Sequence, residues 1–229
     1  MKTNSNLTAS NRWCRFCAAG LWLVLATGCA ALRPEAPAGS LSLYSLSAVR
    51  GTPTIKPTGA PDAAATATTL VVGVPRAVAG FDSKRLIYMR LPHKLEYFAN
   101  SEWVDTPARM LTPLIVAALE NRVAFRAVIH PPGTARGDLR LDTEIVLLQH
   151  EFAATPSRVR LVLRAILVED ASRRIVATRE FEEVANATSD DPYGGVLAAN
   201  QAVDAVLGKL ADFCADAAEV WRRETGKAG

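Results

Sequence analysis

Three consecutive segments alternate between apolar and charged residues, and they limit what this chain can fold into more than any other feature. "DLRLDTEIVLLQHEF" (138–152) sets Leu139, Leu141, Ile145 and Leu147 against Arg140, Asp142 and Glu144. "RVRLVLRAILVED" (158–170) sets Val159, Leu161, Leu163, Ala165 and Leu167 against Arg158, Arg160 and Arg164. "RRIVATREFEEV" (173–184) offers Ile175, Ala177 and Phe181. A period of two is the pattern of strands with one buried and one solvated face, as in an antiparallel sheet. A three-residue turn at Asp170-Ala171-Ser172 would pair Leu167 with Ile175 and Leu161 with Phe181, with Arg160 opposite Glu182.

A sheet with one apolar face needs a layer to cover it, and the sequence supplies two helices. In "VDTPARMLTPLIVAALENR" (104–122), Asp105 and Thr106 are N-cap candidates and Pro107 suits the first helical position. Leu111, Leu114, Ile115, Ala118 and Leu119 then recur at helical spacing, although Pro113 removes a backbone donor and either kinks the helix or moves its start. A longer helix follows a cap at Ser189, Asp190 or Asp191. Its stripe is Val203, Val206, Leu207, Leu210, Phe213, Cys214, Ala217, Val220 and Trp221. The fold class expected is a layered α/β (α+β) sandwich: a mixed, largely antiparallel sheet with two main amphipathic helices.

The earlier part of the chain adds shorter extended pieces. "LSLYSLSAV" (41–49) is a first strand, "LVVGVPRAV" (70–78) a buried one, "KRLIYMRLP" (84–92) an extended segment closed by Pro92, and "FRAVIH" (125–130) a short strand before the turn "PPGTARG". Residues 50–69 are low in complexity and read as a flexible insert.

Compartment is written at the N-terminus. Lys2, Arg12 and Arg15 precede an apolar run of eleven residues, Phe16 to Ala26, with no acidic residue before Cys29. A bilayer-spanning helix needs about 20 apolar residues, so the run suits the core of an export signal. "ATGC" (26–29) resembles a bacterial lipobox, in which cleavage falls before a cysteine that then carries a lipid, although Ala26 stands where Leu is usual. The alternative is an ordinary signal peptide cut near Ala26 or Ala31. The lipobox reading divides the chain into a signal peptide (1–28), a lipidated tether rich in Ala and Pro (29–40) and one domain (41–225). Cys14 and Cys17 would leave with the signal. Cys214 lies on the apolar stripe and reads as a buried, inert thiol. Removing the three basic residues of the signal from the 26 Lys+Arg leaves 23, equal to the 23 Asp+Glu. A neutral mature chain gives no electrostatic case for a nucleic-acid partner.

Candidate chemistry is sparse. His93, His130 and His150 fall in no metal-binding spacing and read as surface or edge histidines; neither a metal nor a cofactor is expected. There is no G-x-S-x-G elbow and no phosphate-binding glycine pattern. Arg158, Arg160 and Arg164 could hold lipid phosphates, but pairing with Glu180 and Glu182 accounts for them. "YFANSEWVDTP" (97–107) crowds Tyr97, Phe98 and Trp103 into one extended segment, which suits either core packing or a partner-binding surface.

The order of these elements resembles a known family. "YSL" (44–46), "VGVP" (72–75) and the block "IYMRLPHKLEYFANSEWVDTPARML" (87–111), followed by the hairpin sheet and the long helix, are similar to ABC-type transport auxiliary lipoproteins, the family that includes paraquat-inducible protein C. The resemblance covers nearly the whole mature chain. It implies a non-catalytic accessory of an MCE-type system that moves phospholipids or other hydrophobic molecules between inner and outer membranes. The implied partners are an MCE-domain protein and ABC transporter subunits, with a homo-oligomer left open. Ala30 after Cys29 resembles an outer-membrane address, facing the periplasm. Rival readings are a structural lipoprotein for outer-membrane protein or secretion-complex assembly and an envelope enzyme.

Overall fold

The structure, a computed structural model, describes residues 40–47, 68–122, 124–130 and 136–226. The compact unit is Leu41–Gly229. Its elements are β1 (Ser42–Tyr44), β2 (Thr68–Val72), β3 (Arg76–Ala77), β4 (Arg85–Leu91), β5 (Lys94–Trp103), α1 (Pro107–Glu120), β6 (Phe125–Ile129), β7 (Leu139–Glu151), β8 (Arg158–Glu169), β9 (Ile175–Asn186) and α2 (Pro192–Glu224). Cys29 and nearly all of the tether and insert lie outside the described residues. The insert ends earlier than expected, because Thr68 and Thr69 are buried in β2.

The described strands form one mixed sheet of nine, with β7 as its spine. One edge of β7 carries β8, which carries β9; both ladders are long and antiparallel. The other edge takes β2, β3 and β4 in turn, each parallel and short. β6 lies outside β2 and β5 outside β4, and β1 joins the end of β5 in parallel. The segment 70–78 is therefore two strands, interrupted at Gly73-Val74-Pro75, where proline supplies no ladder donor.

The alternation places β8 correctly, and two details of its neighbours differ from expectation. Leu163, not Leu161, faces Phe181, Leu167 faces Ala177, and Ile175 faces Val168. The β8–β9 loop runs over residues 170–174 with Arg173 at φ +61°, two residues more than the turn assumed. A slip of two preserves the faces, so the apolar set remains inward. In β7 the ladder shifts between Ile145 and Leu147, a bulge at Val146. Beyond it the parity reverses: Leu148 is buried and Leu147 half-exposed, the opposite of the simple alternation.

The core lies between the inward sheet face and the two helices. Leu141, Ile145, Leu161, Leu163 and Leu167 meet Leu111, Ile115, Val203, Leu207 and Leu210 in one buried cluster. α1 starts at Pro107 with Thr106 as N-cap and runs through Pro113. α2 is capped by Asp191, whose side chain accepts from the Gly194 N–H at 2.8 Å. Its buried stripe uses Ala211, Cys214, Ala218 and Trp221, whereas Val220 points to solvent. Cys214 is buried as expected, and burial pushes its thiol up to about 12. Among the described residues no helix is long and apolar enough to cross a membrane.

Candidate functional site

The chain gathers its aromatic and ionisable side chains where the far end of β7 meets the β4–β5 ribbon and the first turn of α2. The bulge at Val146 turns His150 toward the helices, and Tyr88 is its ladder partner. His150 is therefore buried, correcting the surface or edge placement expected from sequence. His93, by contrast, sits exposed in the tight turn of the ribbon with φ +66°.

His150 is held on three sides. Its Nε2 lies 2.8 Å from Ser157 Oγ, and the Ser157 N–H donates to Asp190 Oδ1 at 3.1 Å. Phe152 stacks at 4.2 Å between ring centroids. On the third side α2 comes so close that a Cβ on Gly195 would sit 2.5 Å from Nδ1. Nδ1 is buried with no hydrogen-bond partner. Burial lowers the imidazole's affinity for a proton, and the nearby Asp190 and Asp191 carboxylates only partly oppose this.

This constellation contains Ser, His and Asp but is not wired for nucleophilic catalysis. In a catalytic triad the carboxylate orients the histidine, and the histidine faces an accessible serine. Here Asp190 grips the Ser157 backbone, and Ser157 is itself buried. The arrangement instead clamps the start of α2 onto β7. A small pocket of about 300 Å³, part of it open to solvent, adjoins the clamp and is lined by Phe98, Trp103, Leu148, His150, Val196 and Ala199.

Around the clamp, Tyr88 and Phe98 lie 4.5 Å apart, and Tyr88 meets Phe152 edge-on at 5.7 Å. The three rings form a partly exposed aromatic cluster on the helix side of the ribbon. Tyr97 points to the other face, where the Arg85 guanidinium lies 4.7 Å from its ring centre. Trp103 is 5% exposed and belongs to the core. The sequence grouped Tyr97, Phe98 and Trp103; the structure gives them three different environments, and Phe98 is joined by Tyr88 and Phe152. Strand alternation separates Tyr97 from Phe98, a signal already present in their adjacency.

The open sheet face is laced with charge pairs. Glu151 is buried and accepts from Arg158 at 3.1 Å, from Arg160 at 2.8 Å and from Gln149 at 3.0 Å. Arg160 also pairs with Glu182, diagonally across the ladder, and Arg164 reaches Glu144 and Glu180. All three arginines of the stripe thus have carboxylate partners. On the ribbon, two hydrogen bonds from Arg90 hold the Glu96 carboxyl down at about 2. Among the described residues no group of three His, Cys, Asp or Glu side chains is placed to hold a metal ion.

Residues 50–211 match the family model for the ABC-type transport auxiliary lipoprotein component. Among curated proteins none matches. Among solved structures, the chain is similar to protein XCC0632 from Xanthomonas campestris, of family DUF330, with 22% identity over 80% of this chain and 99% of that one and a TM-score of 0.68. An uncharacterized protein shares 13% identity over 77% of this chain and 99% of its own, with a TM-score of 0.59. At these identities the likeness is one of fold.

Proposed function

Because the chain belongs to the ABC-type transport auxiliary lipoprotein family, we propose that it serves an MCE-type transporter of phospholipids or other hydrophobic molecules, anchored by a lipid on Cys29 to the periplasmic face of the outer membrane. At the level the family itself carries, it is an auxiliary lipoprotein component of ABC-type transport and a membrane-anchored envelope protein. The observation that carries the reading is the family match over residues 50–211, which takes in the ribbon, the clamp and most of α2.

The role is one of attachment. Two or more acyl chains suffice for stable anchoring, and a flexible connection raises the domain's effective concentration at a nearby partner. The cluster of Tyr88, Phe98 and Phe152 supplies what a docking patch needs: partly exposed aromatic area on a rigid sheet. Phe98 takes over the docking role that the sequence spread over Tyr97, Phe98 and Trp103. The buried Ser157–His150 pair supports a structural rather than catalytic use of those residues.

The test is a pull-down of the membrane-anchored protein in mild detergent, with mass spectrometry of the bait and its companions. The expected result is an acylated Cys29 as the new N-terminus, recovery of an MCE-domain protein with ABC subunits, and loss of that recovery in Phe98→Ala. Recovery of a barrel-assembly or secretion component instead would establish the structural-lipoprotein reading.

A further inference from the structure

We propose that the open face of the β4–β5 ribbon, together with β1, is a phospholipid-contacting surface that seats the domain on a bilayer. The ribbon is unsupported over much of its length. β4 joins β7 only at Tyr88 and Met89, after which β7 ends at Glu151. β1 covers the outer edge of β5 only from Ser101 to Trp103. Residues 90–96 therefore project as two strands with no neighbour in the sheet, a form that is marginal in water without a covered apolar side.

That projection carries a concentration of exposed apolar side chains. Leu91 is 60% exposed, Leu95 40%, Tyr97 41% and Leu43 58%, with Leu41 and Val104 beside them. These are six of the eleven large hydrophobic residues exposed among the described residues; the other five are scattered over β9, α2 and the β2–β3 link. Register puts Leu95 and Tyr97 on one face with Met89 and Ile87, and Leu43 shares a face with Glu102 and Arg85. The Arg85 guanidinium over Tyr97 joins these two groups into one surface.

Charge and chain direction identify the occupant. Residues 84–103 hold four basic side chains, Lys84, Arg85, Arg90 and Lys94, against two acidic ones, Glu96 and Glu102. The mature chain as a whole is balanced, so the excess is local. Long basic side chains around an apolar tip suit the interface of an anionic bilayer, where the stems lie on hydrocarbon and the heads reach phosphate. β1 runs parallel to β5, so the chain at Leu41 arrives from the side on which the ribbon's tip lies. Eleven residues separate Leu41 from Cys29, a reach of at most about 40 Å. The orientation of the ribbon toward the anchor's membrane rests on Cys29 being acylated; the lipid affinity of the surface does not.

The experiment uses the membrane-extracted full chain, reconstituted in vesicles of phosphatidylethanolamine and phosphatidylglycerol. One variant, Leu95→Cys, carries a nitroxide on the ribbon. A second, Ala171→Cys, carries it in the β8–β9 loop, at the opposite end of β7. Mass spectrometry of the same sample reads the state of Cys29. The expected result is that oxygen relaxes the label at 95 in preference to a water-soluble nickel complex, as for a lipid-embedded site, while the label at 171 behaves as in water. A water-like label at 95 on an acylated chain overturns the proposal. If Cys29 is unacylated, the anchor reading fails alone, and the label at 95 must still report lipid when vesicles are in excess. A label at 95 that is water-like on vesicles and becomes immobilised only on adding detergent-solubilised envelope proteins assigns the surface to a protein instead.

Discussion

Gly195 and Gly208 lie in the same helix, and replacing each by alanine is expected to move stability in opposite directions. Alanine gains about 1 kcal/mol over glycine in a helix interior. At Gly208 a Cβ meets nothing within 4 Å, so Gly208→Ala should realise that gain. At Gly195 the Cβ would lie 2.5 Å from His150 Nδ1, 3.0 Å from Cε1 and 3.2 Å from Cγ. Ordinary contact needs roughly 3.5 Å, so the ring or the helix must give way by about 1 Å. The ring is fixed by Ser157 at 2.8 Å and by Phe152 at its face. Overpacking of this kind costs about 1–3 kcal/mol, enough to cancel or reverse the propensity gain. The two variants should therefore differ by that cost, read as urea midpoints and as melting temperatures separated by roughly 2–4 °C per kcal/mol. Equal stabilisation by both alanines would refute the clamp between α2 and β7.

Three further outcomes follow from the same coordinates. Asp191→Ala removes the side-chain acceptor at the Gly194 N–H and should cost about 1 kcal/mol, read by urea denaturation, with Asp191→Asn retaining most of it. Cys214 should resist thiol reagents in the folded protein and react only on unfolding, because burial holds the thiolate out of reach. His150 binds its proton less readily in the fold than in the unfolded chain, so its contribution to stability is complete above its ordinary value of 6.5 and is lost as pH falls below it. Urea midpoints should decline on acidification through that range, and His150→Gln should flatten the decline.

How far the fold could be read depended on whether each segment's two faces differed in polarity. β8 alternates without a break, and its faces were legible residue by residue. β7 passes through Ile145, Val146, Leu147 and Leu148, all apolar, so a period of two could not reveal that one of them is extra. The displaced β8–β9 register came from the loop, where Arg173 adopts a left-handed conformation that the residue type does not advertise. Both helix starts were legible, since Pro107 and the Asp191-Pro192 pair are local signals. The burial of His150 was not, because it depends on the bulge upstream and on a glycine 45 positions later in the chain. The aromatic segment was visible as composition, but its division between core, helix side and open face required the pairing of β4 with β5.

The attachment of β1 has a mechanical consequence. Tyr44 O accepts from the Val104 N–H at 2.7 Å, and a few residues on, Asn200 brackets the chain by accepting from the Ser47 N–H and donating to Ser45 O. A pull transmitted through Leu41 thus runs along β1, loading its bonds in shear, several at once, instead of peeling them singly. It is then shared between β5 and the middle of α2. The first element to yield should be this short strand with its asparagine bracket, which would act as a mechanical fuse and leave the β7–β8–β9 ladder and the helical layer standing.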